Sequence, residues 1–270
     1  MITFPDGSEV PSLGQGTWHM GDSPATRDEE LRAIRTGIDL GLTVIDTAEM
    51  YGNGRSEQLV GEAISGRRDD VFLVSKVLPS NASAKATVEA CRASLRRLNT
   101  DRLDLYLLHW RGRYPLEETV AAFETLVADG SIGAWGVSNL DATDLAELPP
   151  GCQTDQVLYN LTRRGPEFDL LPWAEAVRMP VMAYSPVEQG RLVGHTALAD
   201  VARSLDATPA QVALAWTMRS GSVLSIPKAS TAAHVRENAG ARDLRLSDAD
   251  LALLDRAFPP PTRPVALEML

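Results

Sequence analysis

Cysteine is scarce in this sequence. The 270 residues include two, Cys91 and Cys152, widely separated and in no metal or redox spacing. A disulfide framework is thereby excluded, and a cytoplasmic, reducing location is expected. Cys91 falls on an apolar stripe with Val88, Leu95 and Leu98, the place of a buried small hydrophobe. Positive charge is short as well: 26 Lys and Arg face 36 Asp and Glu, a formal net charge of −10. Nucleic acid and anionic membrane are therefore not expected as partners. No uncharged apolar run is long enough to span a bilayer. The opening MITFPDGSEV lacks the basic and apolar regions of a signal peptide, so none is expected. His19, His195 and His234 stand in no ligand spacing, and no metal site is expected. Linkers, low-complexity tracts and composition breaks are missing. One domain over 1–270 is expected, with the Pro-rich 258–270 as a surface tail.

What is present is an alternation of short, β-branched apolar runs with segments of helical period. ITFPDGSEVPSLG reads as a hairpin turning at Pro5-Asp6-Gly7. Eight strand candidates follow: LGQGTW, LTVID, VFLVSK, LDLYLLH, IGAWGVSN, DQVLYN, PVMAYS and SVLSIPK. Their continuous apolar character suits strands buried on both faces. Capping boxes are expected at Thr26 with Glu29, Thr208 with Gln211 and Ser247 with Asp250. Eight strand–helix units in a chain of this size predict a closed (β/α)8 TIM barrel with an N-terminal β-hairpin. An open doubly wound sheet is the alternative.

The apolar runs end in polar groups: Asp46, Lys76, His109, Ser138 and Asn139, Asn160, Tyr184 and Ser185, Lys228. In a parallel barrel these ends share one face, where barrel enzymes place their chemistry. Taken singly, Asp46 reads as a helix cap, Tyr51 as an amphipathic rim residue and Lys76 as a solvated strand end. Taken together they fit acid–base catalysis. An ammonium within reach of a phenol favours the phenolate, and a buried lysine needs a carboxylate partner. Lys76, paired with Asp46, is thus expected to bring Tyr51 below its ordinary pKa, while His109 orients a substrate oxygen.

The set DTAEMYGNG, VSK, LLHW and GVSN resembles the aldo-keto reductases, in the bacterial short-loop form, from GQGTW to about VRENAGA. The resemblance implies a (β/α)8 fold and a catalytic tetrad of Asp46, Tyr51, Lys76 and His109. It implies NADPH-dependent transfer of a hydride to the carbonyl of a small aldehyde or ketone. No G-x-G-x-x-G fingerprint is present. Instead, Lys228, Ser230 and Thr231 at a helix start form a candidate anion site, which the resemblance assigns to the 2′-phosphate. It further implies Ser138, Asn139 and Gln156 at the carboxamide, Tyr184 stacked on the nicotinamide, and Ser185, Pro186, Val187 and Gly190 along the pyrophosphate. Ile226 is counted with this wall, and Glu237 and Asn238 with the adenine. His234 stands where the family often has an arginine, so NADH remains open beside NADPH. Trp18 and Trp110 are candidates for the substrate wall, with core packing the competing reading.

WRGRYPLEETV passes straight into a helix, a short connection that suggests an open site for small aldehydes, α-dicarbonyls or keto-sugars. Arg111 and Arg113 are either attractors of acidic substrates or solvated rim charges. The resemblance implies a monomer. An NADPH-binding regulatory or sensor subunit with little turnover is the alternative function, and a barrel lyase or isomerase acting on a phosphorylated substrate is a third.

Overall fold

The computed structural model describes all 270 residues. Two short antiparallel strands, β1 (Ile2–Thr3) and β2 (Glu9–Val10), form the expected hairpin. Eight parallel strands follow in sequential order: β3 (Gln15–Gly16), β4 (Val44–Asp46), β5 (Phe72–Val77), β6 (Leu103–Leu108), β7 (Ile132–Ser138), β8 (Cys152–Leu158), β9 (Val181–Tyr184) and β10 (Val223–Ser225). Each of the eight apolar runs supplies one strand. The sheet curls until its first and last strands meet. Gly14 N–H donates to Ser225 O at 2.8 Å, Ser225 N–H to Ser12 O at 2.9 Å, and Gly16 N–H to Pro227 O at 3.1 Å. The open doubly wound alternative is thereby overturned. A glycine is required at this seam, because a Cβ on Gly16 would lie 2.8 Å from Ile226 O.

Ten helices cover the outside: α1 (Arg27–Asp39), α2 (Arg55–Ala63), α3 (Ala84–Leu98), α4 (Leu116–Ala128), α5 (Ala142–Ala146), α6 (Leu170–Ala176), α7 (Thr196–Ser204), α8 (Pro209–Thr217), α9 (Ala232–Ala239) and α10 (Asp248–Ala257). None is long and apolar enough to cross a membrane. The boxes at Thr208 with Gln211 and Ser247 with Asp250 form as expected. The one at Thr26 with Glu29 does not. The Thr26 hydroxyl donates instead to Glu30 Oε1 at 3.0 Å, because buried Glu30 is held nearby by the Gly21 N–H at 2.8 Å.

Two apolar layers result. The larger lies between strands and helices and includes fully buried Cys91. The smaller fills the barrel interior, where Ile2, Phe4 and Val10 of the hairpin meet Val44, Val74, Leu105, Leu107, Ala134, Met182, Leu224 and Ile226. The hairpin therefore plugs one end, with Phe4 stacked on Phe72 at 5.5 Å. Side chains two apart on a strand share a face. Stepping by two from the interior residues Val44, Val74, Leu107, Met182 and Ile226 reaches Asp46, Lys76, His109, Tyr184 and Lys228. The pleat alone thus carries these polar groups to the unplugged end.

Candidate active site

At that end Asp46, Lys76 and His109, supplied by β4, β5 and the residue after β6, lie side by side, as their strands do. Tyr51 arrives from the connection after β4. Gly52, Asn53 and Gly54 there adopt left-handed conformations, with φ of 57°, 52° and 84°. That tight turn, open to glycine and asparagine, folds Tyr51 back over the strand ends. Lys76 Nζ donates to Asp46 Oδ2 at 2.7 Å, to Thr47 O at 2.9 Å and to Tyr51 OH at 3.2 Å. The His109 ring meets Tyr51 edge-on, with centroids 5.8 Å apart.

Burial sets the electrostatics. It pulls Lys76 down, but Asp46 and Tyr51 outweigh it, so the lysine is an ammonium held above its ordinary value. Burial pushes Tyr51 up, and Lys76 opposes this without reversing it. The expectation of a Tyr51 below its ordinary value is therefore not met; desolvation of the phenolate exceeds the attraction of one ammonium that Asp46 already partly neutralises. The group keeps its proton at neutral pH, the state a proton donor needs. Burial, followed by the Lys76 charge, lowers His109 to about 3, leaving a neutral imidazole. Its Nδ1 is buried without a hydrogen-bond partner.

A cavity of about 880 Å³ opens over this group, within the range of sites for cofactor-sized ligands. Asp46, Tyr51 and His109 line it, as do Ser138, Asn139, Gln156, Tyr184, Ser185, Pro186, Val187, Gly190, Ile226, Lys228, Glu237, Asn238, Trp18 and Trp110. Lys76 is not on the wall but fully buried behind it. Ser230 and Thr231 are also off the wall. The Ser230 hydroxyl accepts from Lys228, and the Thr231 hydroxyl accepts the His234 N–H as the cap of α9. Arg111 is ion-paired with Asp144 and Glu147, a rim charge already neutralised.

The wall also contains residues that strand ends did not reveal. His19, Met50, Gln189, Val193 and the tail residues Met269 and Leu270 border the cavity. Thr17 donates to Asp46 O at 2.9 Å and is itself held by Ser56 at 2.8 Å. Its position directly after the β3 run was the available signal. The loop from Ser185 to Gly190 is anchored from beneath by Glu188, buried, which accepts from Asn160 at 2.7 Å, Arg191 at 2.9 Å and Arg163 at 3.1 Å.

Comparison with known proteins places this geometry among relatives. Residues 12–258 match the model of the aldo/keto reductase family. Methylglyoxal reductase YeaE of Escherichia coli K12 is 52% identical, the match covering 100% of this chain and 99% of that protein. Glyoxal reductase of Bacillus subtilis is 33% identical, over 94% of this chain and 91% of its own length. Among solved structures, an aldo/keto reductase from Klebsiella pneumoniae in complex with NADP and acetate superposes with a TM-score of 0.97 at 52% identity, covering 100% of this chain and 99% of that one.

Proposed function

Because the chain belongs to the aldo/keto reductase family, whose members are NAD(P)H-dependent oxidoreductases acting on carbonyls, we propose that it reduces small α-dicarbonyl aldehydes such as methylglyoxal with NADPH, as a monomeric single-domain enzyme of the cytosol. The donor set suits that cofactor. Lys228 beside the start of α9 offers a cation and a helix N-terminus to a phosphate. Ser138, Asn139 and Gln156 bring hydroxyl and amide groups to the cavity that Tyr51 also lines. Bound there, the cofactor supplies a hydride to the carbonyl carbon.

The rest of the chemistry belongs to side chains. Tyr51 gives its phenolic proton to the carbonyl oxygen as that oxygen becomes an alcohol, and water restores the proton afterwards. Lys76 Nζ stabilises the transient phenolate, and Asp46 keeps the lysine charged and aimed. Neutral His109 hydrogen-bonds the carbonyl oxygen and orients it. Trp18, Met50 and Trp110 wall the carbonyl site. The short connection between His109 and α4 leaves its mouth open to small, hydrated substrates. The observation that carries the reading is one ammonium within hydrogen-bond reach of both Asp46 and Tyr51.

The test is consumption of NADPH on addition of methylglyoxal, followed by nicotinamide absorbance. Tyr51→Phe, with its fold intact, is expected to lower kcat by about 10²–10⁴-fold. An unchanged rate in that variant sinks the assignment.

A further inference from the structure

The Asp46 carboxylate has two oxygens, and Lys76 takes only one. The other, Oδ1, accepts the Gln156 side-chain amide at 2.7 Å. Gln156 stands on β8, on the opposite side of the barrel from β4, so this bond crosses the interior. Both residues are 2% exposed. A hydrogen bond to a carboxylate in such a place is strong and directional. It fixes the carboxylate plane so that Oδ2 faces Lys76. It also takes up part of the negative charge that Asp46 directs at Tyr51, where that charge works against the lysine.

We propose that Gln156 is a positioning residue for the proton donor, holding the chain Asp46–Lys76–Tyr51 in register from across the barrel and thereby setting how readily Tyr51 releases its proton. This rests on the reading of Tyr51 as the donor. The Gln156 Nε2 is committed to Asp46, and the amide oxygen is the atom left for a donor in the cavity. The same side chain can then serve bound ligand and proton donor together.

The experiment uses the cofactor-free full chain labelled with 3-fluorotyrosine, whose phenol is more acidic than that of tyrosine. Fluorine NMR follows the Tyr51 line, identified by its loss in Tyr51→Phe, through a pH series. Gln156→Leu is expected to move its midpoint alkaline by about 0.5–1 pH unit. Gln156→Glu keeps the shape but adds a carboxyl beside Asp46, and is expected to move it further. In the steady state, kcat near neutrality should fall by about 3–10-fold while KM for the carbonyl holds. Lys76→Met separates the two levels of the argument. If it shifts the midpoint and neither Gln156 variant does, Gln156 has no such role, although the donor reading stands. If Lys76→Met does not shift it either, the donor reading itself fails. Weaker NADPH binding in the Gln156 variants with an unmoved midpoint assigns the residue to ligand binding alone and overturns the proposal.

Discussion

Replacing Asp155 by asparagine is expected to remove part of the pH dependence of stability. Asp155 lies on β8 beside Gln156 and is fully buried. Its Oδ1 accepts a long hydrogen bond, 3.5 Å, from the Leu140 N–H, and its Oδ2 has no partner. Burial pushes the carboxyl well above its usual range, and the Leu140 N–H offsets little of this. In the unfolded chain the group titrates near about 3.9. Below that pH both states hold the proton and nothing is lost. Above it the unfolded chain releases the proton and the folded protein keeps it. Stability therefore falls as pH rises, by about 1.4 kcal/mol per pH unit, until the raised folded value is reached. Asparagine has nearly the same shape and does not titrate. Urea unfolding followed by tryptophan fluorescence, at matched m, is the assay. Across about one pH unit above pH 5 the variant should gain about 1.4 kcal/mol relative to the parent. Parallel pH curves for the two proteins would mean that Asp155 ionises in the fold, and the reasoning would fail.

His109 carries the opposite sign. Its folded value, lowered to about 3, leaves stability intact above the unfolded value near about 6.5 and erodes it as pH falls below that; His109→Gln should blunt this acid-side loss in the same urea assay. Gly61→Ala places a Cβ 2.4 Å from Leu98 O, a backbone atom that cannot move without separating α2 from α3. A loss of about 1–3 kcal/mol is expected in thermal or chemical unfolding, and an unchanged midpoint would show that the two helices adjust freely. Lys228→Met should weaken NADPH about tenfold while leaving NADH nearly unaffected, by quenching of tryptophan fluorescence; equal losses for both would remove Lys228 from the phosphate.

Most of the scaffold was legible because its strands are buried on both faces, so each reads as an unbroken apolar run closed by a polar residue. Asp46, Lys76 and His109 were legible as the polar groups that close three successive runs. What escaped depends on closure rather than on local pattern. The bond from Gln156 to Asp46 joins strands on opposite sides of the barrel, 110 positions apart, and no periodicity encodes it. The approach of Met269 and Leu270 to the cavity is likewise invisible in a Pro-rich tail with no regular period. The failed box at Thr26 has a local cause: its N–H already donates to Ser23 O, its backbone is helical rather than extended, and its hydroxyl is turned to buried Glu30. The direction of the Tyr51 shift required the depth of the site, which sequence does not state. Ser230 and Thr231 follow a lysine at a helix start, which points both toward an anion; their oxygens accept from Lys228 and from the His234 N–H, contacts that local sequence does not specify.

The seam between β3 and β10 has a consequence for biosynthesis. The wall of the cavity joins Gly16 to Lys228, residues made at nearly opposite times. A ribosome extrudes β3 through β9 while that wall is still missing, and the emerging sheet has nothing to complete its circumference. Enclosure of the ligand chamber therefore waits on the final strand and α9. A chain that stops before them has no last strand to pair with β3, and the cavity lacks the Ile226 and Lys228 side of its wall.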